Sequence, residues 1–246
     1  MTRPQDLGVQ LYAVRDALAS DMPGTIERLA AIGFGYVEPF GLLDDPIGLD
    51  AALRANGLRA ITAHAPVNGP DAFALCEAAT ALGIATLIVP WLDPERFATR
   101  DAVRGVADEL NRAAAAVAGH GIQVGYHNHW FELEAVFDGR TALEWLADDL
   151  DGGIVLEVDT YWAAVGGQDV PALLGRLGDR VRFLHLKDGP LEPREPQVAL
   201  GRGVLPVEAI LAAAPQIELA VVELDSFDGD MFDALADSVA FLTGLP

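Results

Sequence analysis

Residues 154–188 read IVLEVDTYWAAVGGQDVPALLGRLGDRVRFLHLKD. An apolar, β-branched run (154–160) is followed by an amphipathic stretch, VPALLGRLGDR (170–180), and by a second β-branched run, VRFLHLKD (181–188). The two outer runs have strand composition, and the spacing of the leucines between them is helical. Pro171 falls near the start of that helix, where a missing N–H costs nothing. Each strand is thus followed by a helix, and the unit recurs.

Working outward, the other strand candidates are LGVQLY (7–12), YVEPF (36–40), RAITAHAP (59–66), TLIVPW (86–91), QVGYHNH (123–129) and LAVVELDS (219–226). Helical stretches alternate with them: TIERLAAIG, LDAALRANG, FALCEAATALG, DAVRGVADELNRAAAAVAGHG, TALEWLADDL, PVEAILAAAP and FDALADSVAFL. Glycine closes several, and Pro206 stands near the start of another. Eight strand–helix units in 246 residues predict an α/β fold, a single (β/α)8 TIM barrel occupying residues 1–246 as one domain. A doubly wound open sheet would need a glycine-rich turn after its first strand, whereas Gly33-Phe34-Gly35 precedes a strand. The longest irregular stretch, the proline-rich 189–206, lies between a strand and its helix, where functional loops of a barrel sit.

Composition narrows the partners. The formal charge of −21 repels phosphate backbones, the 15 arginines form no basic patch, and nucleic acid is excluded as a partner. No apolar run is long enough to span a bilayer, so no membrane partner is expected. The opening MTRPQDLGVQLYAV has no apolar leader core, and a cytoplasmic protein is expected. The single cysteine, Cys76, lies in a helical stretch and reads as a small buried apolar side chain. Homo-oligomerisation stays open, with no interface legible.

In a barrel, residues at the carboxyl ends of the strands surround the active site. Strand three ends at His64, strand five at His127 and His129 with Glu132 beyond, and strand six at Glu157 and Asp159. Strand seven ends at His185 and Lys187, and strand eight at Glu223 and Asp225. Four of the five histidines and the one lysine therefore fall on a single rim, and His120 in Gly119-His120-Gly121 is expected at the surface. Alternation puts Glu157 with Asp159, His185 with Lys187 and Glu223 with Asp225 on the faces of Val155, Phe183 and Val221. A ring of inward carboxylates needs cations to hold it, and a divalent metal bound by carboxylates and imidazole supplies them. Hydrogen-bond networks at the barrel mouth are the plainer alternative.

With those residues in view, the chain resembles the sugar phosphate isomerase/epimerase family of the xylose isomerase-like barrels. That broad superfamily includes tagatose-type ketose epimerases, inosose dehydratases and endonuclease IV. The resemblance runs from GVQLYAVRD through YHNHWFE, VDTYW and HLKD to VELD. It implies one divalent metal ion held by Glu, Asp, His and Glu from strands five to eight. Asp159, His185 and Glu223 match three of these. At the fifth strand, epimerase-like members place a glutamate where this chain has Tyr126 or His127, and dehydratase-like members take one from the following loop, which corresponds to Glu132. The expected ligands are therefore Glu132, Asp159, His185 and Glu223, with His127 the alternative to Glu132. Manganese, magnesium, cobalt and zinc all suit such a shell.

The expected activity is isomerisation or epimerisation of a small sugar or keto-sugar, by proton transfer through a metal-stabilised enediolate. Glu132 and Glu223 are the expected proton carriers, and Lys187 binds a substrate oxygen or forms a salt bridge to Asp188, Glu157 or Asp225. His64, His127, His129, Trp162 and Glu38 are expected to bind substrate. Trp91, Trp130 and Tyr161 lie near the same strand ends, with core packing the alternative for each. Arg202 reads as a solvated turn residue, and no cradle for a substrate phosphate is found. Dehydration of a keto-sugar or keto-inositol on the same site, or sugar binding without turnover, are the rival readings. An endonuclease would need more histidines and a basic surface.

Overall fold

A computed structural model describes residues 6–245. The first five residues of the opening stretch lie outside it. Eight parallel strands surround the centre: β1 (Leu7–Gln10), β2 (Tyr36–Glu38), β3 (Thr62–His64), β4 (Thr86–Val89), β5 (Gln123–His127), β6 (Val155–Asp159), β7 (Val181–Leu186) and β8 (Leu219–Val222). They are ordered β2-β1-β8-β7-β6-β5-β4-β3. The remaining seam, between β2 and β3, is stitched by Arg59, whose carbonyl accepts from Val37 N at 2.8 Å and whose N–H donates to Gly35 O at 3.1 Å. His64 N donates to Pro39 O at 2.8 Å. The result is a nearly closed barrel with flanking helices, the TIM barrel that the alternation predicts.

All eight strands fall within the stretches read as strands, and each ends one to four residues earlier than its stretch. The chain leaves the ladder at the barrel mouth, so His129, Lys187 and Asp225 stand just beyond their strands. Glu223 N still donates to Leu186 O at 3.1 Å, continuing the ladder one residue past β8. Three helices begin earlier than their apolar spacing suggests or are capped more firmly. Asp21 accepts from Gly24 N ahead of the helix Met22–Ile32, Asp45 from Gly48 N ahead of Pro46–Asn56, and Asp169 from Ala172 N ahead of Val170–Leu177. An acidic cap followed by proline fixes such starts.

Two layers of apolar side chains position the site. Outward-facing residues such as Val9, Val37, Leu87, Val124, Tyr126, Leu156 and Val158 pack under the helices in the main core. Inward, Ile88, Val155, Phe183, Leu219 and Val221 form a plug joined by Tyr36 and Ile61. The plug leaves little room: a Cβ on Gly125 would lie 3.0 Å from Ile88, and one on Gly8 3.0 Å from Leu219. Pairing slips by one residue between β6 and β7, from Leu156 opposite Val181 to Glu157 opposite Phe183. This bulge resets the alternation. Val181 joins the outer core with Leu184 and Leu186, while Phe183 and His185 turn inward.

Cys76 is free and buried in the helix Ala72–Leu82, and His120 is exposed, both as expected. Among the described residues no helix is long and apolar enough to cross a membrane.

Candidate metal centre and active site

Above the apolar plug, alternation brings one polar layer inward from six strands: Gln10, Glu38, His64, His127, Glu157 and His185. Glu157 is at its centre. Its Oε2 lies 2.8 Å from His64 Nε2, 3.1 Å from His127 Nδ1 and 3.1 Å from His185 Nε2. Burial pushes its pKa up, yet the imidazoles of His185, His127 and His64 outweigh burial and hold it well below the usual carboxylate range. Glu38 sits beside it, 2.7 Å from His185 Nε2 and 3.1 Å from His64 Nε2, and accepts from Gln10 Nε2 at 2.8 Å. Its carboxyl is raised by burial and by the neighbouring Glu157.

The next layer toward the mouth holds Asp159, Lys187, Glu223 and Asp225. The Lys187 ammonium, 2 % exposed, lies 3.0 Å from Asp159 Oδ2, 2.8 Å from Glu223 Oε2 and 2.9 Å from Asp225 Oδ2. Burial disfavours its charge, but these three carboxylates overcome burial and hold the amine well above its ordinary value. Lys187 is therefore a fixed cation. Glu223 also lies 2.7 Å from His185 Nδ1, and Lys187 and His185 together outweigh burial and keep it well below its usual range. Asp159 is pushed up to about 6 by burial, against the pull of Lys187.

Two groups could each gather around one cation: Asp159, His185 and Glu223, and, deeper, His64, His127, Glu157 and His185. The upper group contains the three residues that the family pattern nominates. Asp159 Oδ2 is fully buried and takes no aligned hydrogen bond, with the Lys187 ammonium 3.0 Å away as its ionic neighbour. His127 Nε2 faces that oxygen at 3.7 Å. Both histidines are gripped on their other ring nitrogen, His127 Nδ1 by Glu157 and His185 Nε2 by Glu38 and Glu157. Carboxylates on the far nitrogen are the usual support for a ligating imidazole. The donor set fits a divalent ion.

Glu132 lies elsewhere. Tyr126 points outward into the helical core, and its hydroxyl donates to Glu132 Oε1 at 2.6 Å, while His129 N donates to Oε2 at 2.9 Å. Glu132 thus stands outside the barrel wall, with both oxygens occupied, in neither group of potential ligands. Burial raises it to about 7. On β5 only His127 faces the interior at the mouth.

A cavity of about 470 Å³ opens over this layer. His64, His127 and His129 line it, as expected of substrate-binding residues, together with Lys187, Glu223 and Asp225. Glu38 and Trp162, also expected to meet substrate, do not line it: Glu38 lies beneath His64 and His185, and Trp162 packs on Trp130 with ring centroids 5.0 Å apart. Trp91 borders the cavity, and Tyr161 is fully buried. Asp188, the salt-bridge partner considered for Lys187, has another task. Its carboxylate accepts four backbone N–H groups, from Gly189, Gly201, Gly203 and Leu205 at 2.9–3.0 Å, and so folds the 189–206 loop around itself. A Cβ on Gly203 would overlap that carboxylate, which accounts for a glycine there. Arg202 between them is exposed, as read.

Sequence reasoning missed Gln197 and Gln10. Gln197 accepts from Asp225 N at 2.7 Å and donates to Asp225 Oδ2 at 2.9 Å, tying the long loop to the carboxylate that meets Lys187. Gln10 shares the inward face of Gly8, two residues before it, and that parity could have located it.

The profile of the xylose isomerase-like TIM barrels matches residues 26–243. The chain belongs to that family. Among solved structures, a sugar phosphate isomerase/epimerase from Parabacteroides distasonis is 25% identical, with a TM-score of 0.80, covering 100% of this chain and 96% of its own. Two further solved structures of similar fold are each 14% identical. One is a probable 3-DHS dehydratase from Bacillus anthracis, with TM-score 0.76, covering 98% of this chain and 100% of its own. The other is the IOLI protein with a bound zinc atom, with TM-score 0.74, covering 97% of this chain and 96% of its own. No curated protein matches the chain.

Proposed function

We propose that this xylose isomerase-like barrel is a divalent-metal-dependent isomerase or epimerase of a sugar or keto-sugar. The observation that carries the reading is the convergence of buried Asp159, His185 and Glu223 at the barrel mouth, close enough to gather around one ion. The fourth ligand in this reading is His127, through Nε2, and Glu132 serves the loop wall. A manganese, magnesium, cobalt or zinc ion held there would polarise a sugar carbonyl and acidify the adjacent C–H bond.

The chain's own residues account for the remaining work. Lys187, with its three N–H groups on Asp159, Glu223 and Asp225, would supply fixed positive charge beside a substrate oxygen as charge develops on it. Glu223 borders the cavity and is the carboxylate placed to carry the proton between carbons. Burial, with Lys187 nearby, lowers His129 to about 4, so it is neutral in solution near pH 7 and binds hydroxyls without competing for the proton. His64 is anchored by Glu157 and offers the cavity a fixed edge.

The test joins metal content to proton exchange. Purified protein should carry about one divalent ion per chain, and keto-sugars incubated with it in deuterium oxide should gain deuterium at the carbon beside the carbonyl. Exchange followed by loss of water would make it a dehydratase, a reading that shares every residue named. An ion bound without exchange in any keto-sugar would mark a binding protein, and absence of an ion after incubation with excess manganese or zinc would sink the proposal.

A further inference from the structure

The cavity has two chemically distinct sides. The side from β5 to β8 is charged and hydrogen-bonding: His127, His129, Lys187, Glu223 and Asp225. The opposite wall, from the loops after β1 to β4, is apolar: Tyr12, Phe40, Pro66, Pro90 and Trp91. Two of its aromatics are open, Tyr12 at 43% and Trp91 at 53% exposure. Tyr12 packs edge-on against Phe40, with centroids 5.4 Å apart, so the pair is a preformed surface. Large exposed aromatics beside a polar pocket mark a binding surface more often than a chance exposure.

Charge decides what that wall can meet. Among the described residues no arginine lines the cavity, and the one ammonium on its wall, Lys187, is already bound by three carboxylates. Arg15, beside Tyr12, is engaged elsewhere: it stacks on the Tyr12 ring at 4.4 Å and donates to the carbonyls of Tyr12 and Asp225. A phosphate or carboxylate on the substrate would enter a site bordered by Glu223 and Asp225, on a chain of net charge −21, with no free cation among the described lining residues to meet it. Size points the same way. The cavity falls within the roughly 300–1,000 Å³ of sites that take drug-sized ligands, more room than one sugar ring fills.

We propose that the substrate is an uncharged glycoside, with its reacting ring against the polar side and an apolar, preferably aromatic, substituent on the Tyr12–Phe40–Trp91 wall. This deepens the isomerase reading and rests on it for the identity of the reacting ring. The substituent gains contact with rigid aromatic faces, and the sugar hydroxyls meet the histidines. A phosphorylated sugar keeps the hydroxyl contacts, lacks the aromatic one and brings its negative charge beside Glu223 and Asp225.

Calorimetric titration tests this without turnover. The probes are the phenyl and methyl β-glycosides of glucose, galactose and mannose, and the corresponding sugar 6-phosphates, each against manganese-loaded protein. For at least one sugar the phenyl glycoside should bind about tenfold more tightly than the methyl glycoside, and the 6-phosphates should bind more weakly than either. Trp91→Ala should collapse the phenyl-to-methyl ratio toward one. Tyr12→Ala repeats the test should the first variant fail to fold. Equal affinity for phenyl and methyl glycosides, an unchanged ratio in the folded variant, tighter binding of any sugar phosphate, or no binding of any neutral glycoside at its solubility limit would each overturn it. The two readings separate cleanly. Phenyl preference in a protein that takes up no metal keeps the substrate class and removes the metal chemistry. Proton exchange confined to sugar phosphates does the reverse.

Discussion

Replacing Glu132 with glutamine discriminates a wall residue from a metal ligand. The carboxylate is fully buried, accepts from Tyr126 and from His129 N, and is raised from the ordinary 4.5 to about 7 by burial. Below pH 4.5 folded and unfolded chains both hold the proton. Between pH 4.5 and about 7 the unfolded chain has lost it while the folded chain keeps it, so stability falls as pH rises through that window. At 1.36 kcal/mol per pH unit the loss is about 3 kcal/mol, complete above pH 7. Glutamine does not titrate. Like the protonated carboxyl, it offers one carbonyl oxygen to His129 N and a donor to the Tyr126 hydroxyl oxygen. The variant should therefore be close to wild type in stability near pH 4.5 and more stable than wild type by pH 8, the gap changing by about 3 kcal/mol. Urea denaturation in a chelator at several pH values measures the gap, since other titrating groups cancel in the difference. Elemental analysis of the variant should show the ion undiminished. A gap that stays constant with pH, or a variant that loses its metal, would refute the reasoning.

His127→Ala should weaken divalent-ion binding by more than the roughly 10–100-fold expected of Glu157→Gln, which removes only the support behind the imidazoles; competition with a chromophoric chelator ranks the two. Lys187→Met leaves Asp159, Glu223 and Asp225 without their cation. The metal-free variant should lose about 3–5 kcal/mol, and manganese should restore more of its thermal midpoint than it adds to wild type; equal shifts would contradict the ammonium's neutralising role. Asp188→Ala deprives four backbone donors of their acceptor, so limited proteolysis should cut the 189–206 loop much faster than in wild type while the barrel core stays resistant.

How much of this was legible depended on whether a feature is periodic. The eight strands are β-branched runs in a regular alternation, and parity alone turned Glu157, Asp159 and Glu223 inward, because Val155 and Val221 two residues earlier belong to the plug. On β7 the same inference succeeded from Phe183 onward and would have failed from Val181, because the bulge between them inverts the faces. The ribbon Val136–Phe137 with Arg140–Thr141 was missed although its signal was present: Asp138-Gly139, both at positive φ, is the pair that a tight hairpin turn favours.

Glu132 shows where periodicity stops helping. Five residues past His127 along the chain, it reads as near the ligands, but chain distance beyond a strand carries no direction. Parity held the missing clue. Tyr126 must face outward if His127 faces inward, and a carboxylate held by Tyr126 is then on the wrong side of the wall to reach the centre. Asp188 and Gln197 had no such clue, because their partners lie far along the chain, up to 28 residues away, across an irregular loop. The rim chemistry could therefore be read from residue types and strand parity, whereas its support came from aperiodic loops. Fixing a site at a barrel mouth from sequence thus depends on asking of each polar residue which face its neighbours commit it to, before asking how near it lies.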